Sequence, residues 1–440
     1  SALKLKTLVL EKTGRLQERE SVLNEILNID PLNAFARFEK NDEFAKALQY
    51  EMPDQVCLEL AIWYFNLGLS DKAVQVLKLV KETPIINYWL AFILNDTELI
   101  NKAVTASTDL VFPFRTETAD VLKWALNKNN NWQTKYYLGL IYWSKGRNAE
   151  ATELFKACKT EPANYAFYLT RFELLKGEKS YNGEADLLKA QEMAPAEWRC
   201  FKALTEYYEE KQEYYKALQW AKNGYKLLPG NYILAYQCAK SQLISGQYKE
   251  ALNILTNTTI LPNEGASYGR TTYRQACILD AVNNLKNSND KVALARIKMA
   301  REWPENLGVG KPYNTDERIE DYLERRYWLN KKDATKAKHL EEKVVTATLN
   351  ANYPSSADYL GAVLMKESGR EKEAKVFLQM QIEKAPKNLI ARWNLAKFEG
   401  NTAEADELLK KIEVENGGSL LSPKVSDSGL ALVLDITDKI

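Results

Sequence analysis

The chain has 440 residues, with 60 Lys and Arg, 59 Asp and Glu, and a single His. The net charge of +1 lacks the basic excess typical of nucleic-acid and anionic-membrane binding, and one His excludes His–His metal pairs. No stretch approaches the roughly 18 uninterrupted apolar residues of a membrane-spanning helix. We therefore expect no nucleic-acid partner, no membrane insertion, and neither a metal ion nor a cofactor.

Hydrophobic residues make up 45% of the chain, whereas Gly (19) and Pro (13) are scarce. This composition favours a large helical core over an all-β or disordered chain. The five Cys are widely spaced without a CxxC motif, which is typical of reduced, buried thiols and favours a cytoplasmic location. Because the chain begins at Ser1 without a Met, we expect it to be part of a longer protein. A periplasmic location is the alternative, if an upstream signal was removed.

Four prolines recur at an almost constant interval. Pro162, Pro195, Pro229 and Pro262 are separated by 33, 34 and 33 residues. A fixed period of this size is the signature of a helical repeat array, in which each repeat is a pair of helices. The period therefore predicts stacked helical hairpins rather than an unrelated helical bundle.

Helical apolar patterns follow one another along the whole chain. A half copy of the repeat comes first, at residues 14–33. The clearest full copies then span residues 60–84, 138–162, 204–229, 238–262 and 360–386. Degenerate copies span residues 88–113, 167–195, 273–304 and 321–353, and a short last pair spans residues 393–409.

The best copy carries, in order, Leu138-Gly139, Tyr142, Ala151, Phe155 and Pro162. This order resembles the tetratricopeptide repeat (TPR) family, in which Leu-Gly, Tyr, Ala, Phe and Pro recur at set spacings. We expect Gly139 and Ala151 where the two helices of the hairpin cross, because small side chains let the backbones approach. The resemblance covers roughly residues 3–412. It implies an all-α superhelical solenoid with irregular loop insertions, in which residues 1–416 form about nine to eleven hairpins.

Three insertions rich in Asn, Gly and Pro interrupt the repeat, at residues 111–115, 262–266 and 303–313, and we expect them to be surface loops. With these insertions, the chain resembles the C-terminal TPR region of large proteins from Bacteroidetes-type bacteria. There, a β-rich N-terminal domain of unknown function precedes the repeats, so the resemblance implies that such a domain is missing here. The candidate docking residues in these loops are Phe112, Phe114, Arg115, Asn306 and Lys311.

No set of residues predicts catalysis. Gly308, Gly310 and Lys311 superficially resemble a phosphate-binding loop, but Pro312 stands where such a loop needs Ser or Thr. His339 lies in a basic helical turn, where we expect an exposed side chain, and no GxSxG nucleophile motif is present. We therefore predict that this chain is not an enzyme and has no catalytic residue, whereas the full-length protein is left open.

The first helix of each repeat is expected to line the concave side of the solenoid. These helices lack the Lys and Asn pair with which TPR domains clamp a peptide carboxylate, and their inner positions are mostly aromatic and apolar. Two main explanations remain open: facing helices pack on each other, or the lining is a groove for a hydrophobic partner. Carbohydrate stacking is a less favoured third. The candidate binding residues are Phe65, Tyr136, Leu140, Trp143, Tyr168, Phe172, Tyr236 and Lys240.

Residues 417–440 follow the last repeat as a tail. They contain a short apolar run at residues 430–436, which is too hydrophobic for a solvated end. We predict that this tail packs back on the array or pairs as a short strand with another segment.

Together these features favour a scaffold for protein–protein or interdomain interaction. Its partner is expected to be another chain or an upstream domain of the same protein, bound on a concave aromatic and apolar surface. The alternative is a non-catalytic accessory region of a larger carbohydrate-active enzyme, whose catalytic domain lies upstream and is absent here. A glycan-binding module is the third interpretation.

Overall fold

The computed structural model describes residues 2–40, 44, 48, 52–262, 267–421 and 427–440. All regular secondary structure among these residues is helical. The chain divides into two compact units, Ser1–Met193 (unit 1) and Ala194–Ile440 (unit 2).

The described residues of unit 1 form twelve α-helices. In chain order these are α1 (Ala2–Lys12), α2 (Leu16–Ile29), α3 (Ala34–Lys40), α4 (Pro53–Asn66), α5 (Ser70–Leu77), α6 (Pro84–Leu94), α7 (Thr97–Thr105), α8 (Thr116–Lys128), α9 (Trp132–Ser144), α10 (Asn148–Ala157), α11 (Tyr165–Leu175) and α12 (Gly183–Met193).

Most helices of unit 1 pair with the next one along the chain. Hairpins form between α1 and α2, α4 and α5, α6 and α7, α9 and α10, and α11 and α12. Helix α8 departs from this scheme, because it packs on both α6 and α9. It is the helix that directly follows the first irregular insertion.

Unit 2 contains thirteen α-helices and one short 3₁₀ turn, Glu305–Leu307, among its described residues. The helices are α13 (Trp198–Glu210), α14 (Tyr214–Leu227), α15 (Tyr232–Ile244), α16 (Tyr248–Asn257), α17 (Tyr268–Lys286), α18 (Asp290–Ala300), α19 (Arg318–Asn330), α20 (Ala334–Leu349), α21 (Ala357–Glu367), α22 (Glu371–Lys384), α23 (Leu389–Phe398), α24 (Thr402–Glu415) and α25 (Leu430–Lys439).

Helices α13 to α24 form six successive hairpins. The first helices of neighbouring hairpins also contact one another, from α13 through α15, α17, α19 and α21 to α23. These six helices form one layer of unit 2, which we call the first-helix layer. Stacked hairpins of this kind are the arrangement that the repeat predicts, so the prediction of an all-α, TPR-type fold is confirmed.

A residue in the left-handed conformation forms part of the turn between the two helices of several hairpins. Gly68, Gly146, Gly246 and Gly369 hold this position with φ between 73° and 78°. Glycine reaches this region without the penalty that a Cβ imposes. Gln212 holds the same position between α13 and α14 with φ of 59°. The hairpin therefore requires the conformation even where the repeat has lost its glycine.

The close approach expected at Gly139 is present between α9 and α10. A Cβ built on Gly139 would lie 2.8 Å from the Phe155 ring. Ala151 is fully buried. Small residues at these positions thus let the two helices of this hairpin meet, which is the physical reason for their place in the repeat.

The apolar run in the tail is helical, so the strand alternative is wrong for these residues. Helix α25 buries Leu430, Val433 and Ile436, which recur at the three-residue spacing of one helical face, together with Leu432. An alternating strand would place Leu430 and Val433 on opposite faces. Burial of a single helical face explains why the run is not extended.

Candidate protein-binding surfaces

Four of the residues expected on the inner surface lie in the core. The side chains of Tyr136, Tyr168, Phe172 and Tyr236 are buried. The Tyr136 ring packs edge-on against Phe155, with 5.6 Å between the ring centroids. These four side chains fill space between helices, and they offer no surface to a partner. For these four residues, the aromatic lining is explained by helices that pack on each other.

The other four, Phe65, Leu140, Trp143 and Lys240, are half-buried. Lys240 on α15 forms an ion pair with Glu209 on α13, with 2.5 Å between Nζ and Oε2. Its charge is therefore partnered within the first-helix layer of unit 2. Phe65, Leu140 and Trp143 keep part of their side chains accessible, as a binding surface in unit 1 requires.

Half-buried rings on three helices of unit 1 form a row that we call the aromatic ladder. Phe65 on α4 lies 5.7 Å from Phe92 on α6, and Phe92 lies 5.4 Å from Trp124 on α8, each pair meeting edge to face. Exposed Leu67 and Leu94 follow at the ends of α4 and α6. The sequence identified Phe65 but missed Phe92 and Trp124, because they belong to a degenerate copy and to a helix outside the repeat.

The first insertion exposes apolar side chains beside an ion pair. Leu110, Phe112 and Phe114 are 90%, 62% and 49% exposed. Arg115, at the N-terminal end of α8, forms an ion pair with Glu59 on α4. Its guanidinium also lies 5.9 Å from the Phe114 ring centroid. The ion pair ties the end of the insertion to α4, while Phe112 and Phe114 remain accessible for docking.

Asn306, in the third insertion, is a structural tie rather than a free docking residue. Its Nδ2 donates to the carbonyl oxygens of Leu255 and Thr258, at 2.9 and 2.7 Å, which holds the insertion against the end of α16. Lys311 is exposed and pairs with Glu317, with 3.0 Å between Nζ and Oε1. Residues 263–266 of the second insertion lie outside the described residues.

A cavity of about 680 Å³ in unit 1 is lined in part by Arg19, Glu39 and Lys72. The carboxylate of Glu39 accepts hydrogen bonds from Tyr64 Oη (2.5 Å), Lys72 Nζ (2.8 Å) and Arg19 Nη2 (2.5 Å). Burial by itself raises the pKa of Glu39, but hydrogen bonds from Lys72, Tyr64 and Arg19 together outweigh burial and lower it. Such a carboxylate is a poor general base at neutral pH, so the cluster serves as a structural network.

The C-terminal helix α25 covers part of the first-helix layer of unit 2. It contacts α17 and α21, and Arg326 on α19 donates a hydrogen bond to the backbone oxygen of Ile440. It thus rests on the first helices of three successive hairpins. We call the surface of α17, α19 and α21 beneath it the α25 seat.

Four apolar side chains hold α25 in this seat. Leu430, Leu432, Val433 and Ile436 are almost completely buried and belong to the same core cluster as residues of α17, α19 and α21. Burial of one such side chain contributes about 1.5–3 kcal/mol. Apolar contact is therefore the main attraction between α25 and its seat.

Hydrogen bonds fix the N-terminal end of α25. The Asp427 carboxylate accepts a hydrogen bond at 2.8 Å from the backbone N of Gly429, the residue directly before α25. It also accepts from Ser356 N at 2.5 Å and Ser356 Oγ at 3.1 Å. Because Ser356 directly precedes α21, the carboxylate lies at the positive end of that helix. Gln275 Nε2 on α17 donates to the carbonyl oxygen of Ser428 at 3.2 Å.

Buried polar atoms on both sides of the contact between α25 and its seat have no hydrogen-bond partner among the described residues. These include Gln275 Oε1 on α17 and Asp435 Oδ2 on α25. Asp435 Oδ1 pairs with Lys439 Nζ at 2.7 Å, and Lys439 also donates to Asn283 at 3.1 Å. An unmade buried hydrogen bond costs about 1–3 kcal/mol. Helix α25 therefore fits the seat in shape without satisfying all of its polar groups.

In the part of the chain that the structure describes, the Cys and His side chains do not form a catalytic or metal-binding cluster. All five Cys are free and buried, and burial raises the pKa of each thiol, to about 11 for Cys238 and about 12 for the other four. His339 is exposed on α20. In the part of the chain that the structure describes, no group of three or more His, Cys, Asp or Glu could hold a metal ion. In the same residues, no helix has the length and apolar character needed to cross a membrane.

No family model matches the chain, and no match among curated proteins was found. Among solved structures, the crystal structure of yeast Tom70 is similar with a TM-score of 0.31 and 14% identity, over 94% of this chain and 96% of that chain. A structure of Naa15/Naa10 bound to HypK-THB is similar with a TM-score of 0.34 and 14% identity, over 97% of this chain and 74% of that chain. The TPR-like fold is therefore established by the hairpins of this chain itself.

Proposed function

We propose that the chain is a non-catalytic protein-interaction scaffold that binds helical segments of a partner on the first-helix layer of unit 2. The observation that carries this proposal is the α25 seat. There the layer already holds an amphipathic helix, through four buried apolar side chains and hydrogen bonds at both ends. A surface that holds one helix of this kind has the shape and chemistry of a helix-binding groove.

The aromatic ladder of unit 1 supports the same interpretation. Its rings are half-buried and lie in a row across three helices, with Phe112 and Phe114 exposed in the insertion before α8. Aromatic side chains bury a large area at a small cost in conformational entropy, and they are enriched at protein interfaces. Unit 1 therefore offers a second apolar surface to a protein partner.

The test displaces α25 from its seat in the full chain and then adds a peptide with the sequence of α25. Leu432→Asp together with Val433→Asp places two charges where α25 is buried, so α25 should leave its seat. A fluorescein-labelled peptide of residues 427–440 should then bind with 1:1 saturation in a fluorescence-anisotropy titration. A peptide that carries Val433→Asp should not bind.

Val414→Asp is the matched protein control, since Val414 is exposed on α24 and its replacement leaves α25 in place. This variant should bind the peptide no better than the natural chain does. Hydrogen exchange should show loss of protection in α25 of the doubly substituted chain and nowhere else. If α25 loses its protection and the peptide still fails to bind, the seat is not a helix-binding groove and the proposal is wrong.

A further inference from the structure

We propose that the α25 seat is the docking site for an amphipathic helix of a partner protein that carries an Asp three residues before its first helical residue, as Asp427 precedes Leu430, and that α25 occupies the seat as an intramolecular competitor. This inference rests on the proposed scaffold function. It adds the sequence pattern that the seat recognises and the exchange by which a partner gains access.

The seat specifies the N-terminal end of its ligand. The Asp427 carboxylate accepts a hydrogen bond from Gly429 N, directly before α25, and is also held by the backbone and side chain of Ser356, directly before α21. One carboxylate therefore joins the segment that leads into the bound helix to the start of the helix beneath it. Ser, Thr or Asn at this position could accept the same hydrogen bonds but would bring no charge to the positive end of α21.

The apolar face of α25 sets the spacing that follows this Asp. The buried apolar residues lie three, five, six and nine positions after Asp427, namely Leu430, Leu432, Val433 and Ile436. Gln275 contacts the backbone between Asp427 and this face, because it donates to the carbonyl oxygen of Ser428. The expected ligand is thus a helix with apolar residues at these four positions after a preceding Asp.

Helix α25 is not the best possible occupant of the seat. Asp435 Oδ2 is buried without a hydrogen-bond partner among the described residues, and so is Gln275 Oε1. Helix α25 also has only ten residues, and isolated helices of that length are marginal in water. A partner helix with an uncharged residue in place of Asp435 and additional turns would bind the same seat more favourably.

The tether explains how a suboptimal helix nevertheless keeps the seat. Helix α24 ends at Glu415 and α25 begins at Leu430, and the carbonyl oxygen of Gly418 accepts hydrogen bonds from Tyr214 Oη (3.1 Å) and Gln212 Nε2 (3.2 Å). A short tether gives an effective concentration on the order of 1 mM. If α25 alone binds with a Kd of about 10 µM, the tether raises the apparent Kd of a competing helix roughly 100-fold.

The probes are fluorescein-labelled peptides of residues 427–440, titrated into the full chain by fluorescence anisotropy. A probe with Asp435→Ala should bind more tightly than the natural peptide, because a buried carboxylate oxygen without a hydrogen-bond partner among the described residues is gone. Adding Asp427→Ala to that probe should weaken binding by roughly 10-fold or more, since charge-assisted hydrogen bonds are lost. Equal binding of the two probes would show that the seat does not recognise the Asp that precedes the helix.

A reversible lock tests whether the probe exchanges with α25. A Cβ built on Gly429 lies 3.0 Å from Ser356 Oγ, close to the separation of Cβ and the distant sulfur in a disulfide. Ser356→Cys with Gly429→Cys should therefore fix α25 in its seat when oxidised. Oxidation should abolish probe binding, and reduction of the same sample should restore it. Probe binding that survives oxidation would place the site elsewhere and overturn the exchange.

Light scattering tests whether a second copy of the chain, rather than a partner protein, occupies the seat. Dimers of the natural chain that form with rising concentration and separate on addition of the probe would show that a second copy fills the seat, which overturns a partner protein as its ligand. The natural chain is then compared with the Leu432→Asp, Val433→Asp variant. If the natural chain binds no probe while the variant binds the 427–440 peptide, a partner helix does not displace α25. That result would overturn the exchange and leave the proposed scaffold function standing.

Discussion

Unit 1 completely buries many aromatic rings, whereas the core of unit 2 is mainly aliphatic. Among the described residues, the completely buried rings of unit 1 are Phe35, Tyr64, Tyr88, Trp89, Tyr136, Tyr137, Phe155, Phe167 and Tyr168, whereas unit 2 contributes Trp393. The core of unit 2 is built mainly from Ala, Leu, Ile and Val. One hairpin architecture therefore accepts two kinds of core, because the repeat fixes helix spacing rather than particular side chains.

Among the described residues, the most deeply buried ion pair lies in unit 2, although unit 1 also buries the pair of Arg171 and Asp186. Arg318 pairs with Asp358 at 2.6 Å, and Arg274 pairs with Glu320 at 2.5 Å. The surfaces of the two units differ accordingly. The aromatic ladder of unit 1 is half-exposed, whereas α25 covers part of the first-helix layer in unit 2. The comparison indicates that unit 1 depends more on ring packing, and unit 2 more on aliphatic packing, its buried Arg318 pair and its own terminal helix.

The largest expected effect comes from removing Arg318. Its side chain is 6% exposed and that of Asp358 is 0% exposed, so Arg318→Ala leaves a buried carboxylate without its cation. Burial already raises the pKa of Asp358, which Arg318 opposes. We expect a loss of about 3–5 kcal/mol in the free energy of unfolding, measured by urea denaturation.

Arg370→Ala is the matched control in the same unit, because Arg370 and Glu373 form an exposed pair. It should cause no measurable loss. The double variant with Arg318→Ala and Asp358→Ala should recover part of the stability, since the completely buried Asp358 carboxylate is then removed as well. If Arg318→Ala lowers stability no more than Arg370→Ala does, unit 2 does not depend on its buried ion pair, and that part of the comparison is wrong.

The next effect concerns the two glycines of the Leu-Gly motif. A Cβ at Gly361 would lie 2.1 Å from Thr348 Oγ1, and one at Gly139 would lie 2.8 Å from the Phe155 ring. Each Ala substitution should cost about 1–3 kcal/mol from overpacking, and Gly361→Ala should cost more because β-branched Thr348 is stiffer.

Gly177→Ala serves as the control for both, because a Cβ at Gly177 has no neighbour within 4 Å. It should leave thermal stability nearly unchanged. The difference would be measured as a shift in the midpoint of thermal unfolding. If Gly139→Ala stabilises the chain, the ring packing of unit 1 is looser than the comparison requires.

The smallest effect is the acid dependence of unit 1. Because the folded state lowers the pKa of Glu39 below its ordinary value of 4.5, Glu39 stabilises the fold above that pH. This contribution is lost as the pH falls through the lowered pKa. Glu39→Gln should therefore reduce stability at pH 6–7, and the difference from the natural chain should shrink below about pH 4.5. Urea unfolding at several pH values measures it, and a constant difference would argue against an ionised Glu39.

The repeat explains why so much of the fold could be predicted. The proline interval and the order Leu-Gly, Tyr, Ala, Phe describe contacts within one hairpin and with its neighbour, and such local contacts leave a periodic trace in the sequence. Gly139 beside Phe155 and the left-handed turn at Gly146 are examples. Helix α8 and the tail lie outside the period, and for the tail the pattern left two alternatives open, packing on the array or pairing as a short strand.

The surfaces were decided by tertiary structure. From spacing alone, a buried Tyr136 and a half-exposed Phe65 are equivalent, because both are aromatic residues on the first helix of a hairpin. Whether a ring is covered depends on how closely the next helix approaches, and that distance is set by residues far along the chain. The partnership of Asp427 with Ser356 joins residues 71 positions apart. The amino-acid sequence by itself determined the hairpin, its turn and its repetition, because these need only near neighbours. The seat and its occupant required the folded chain, because they depend on long-range contacts that no period records.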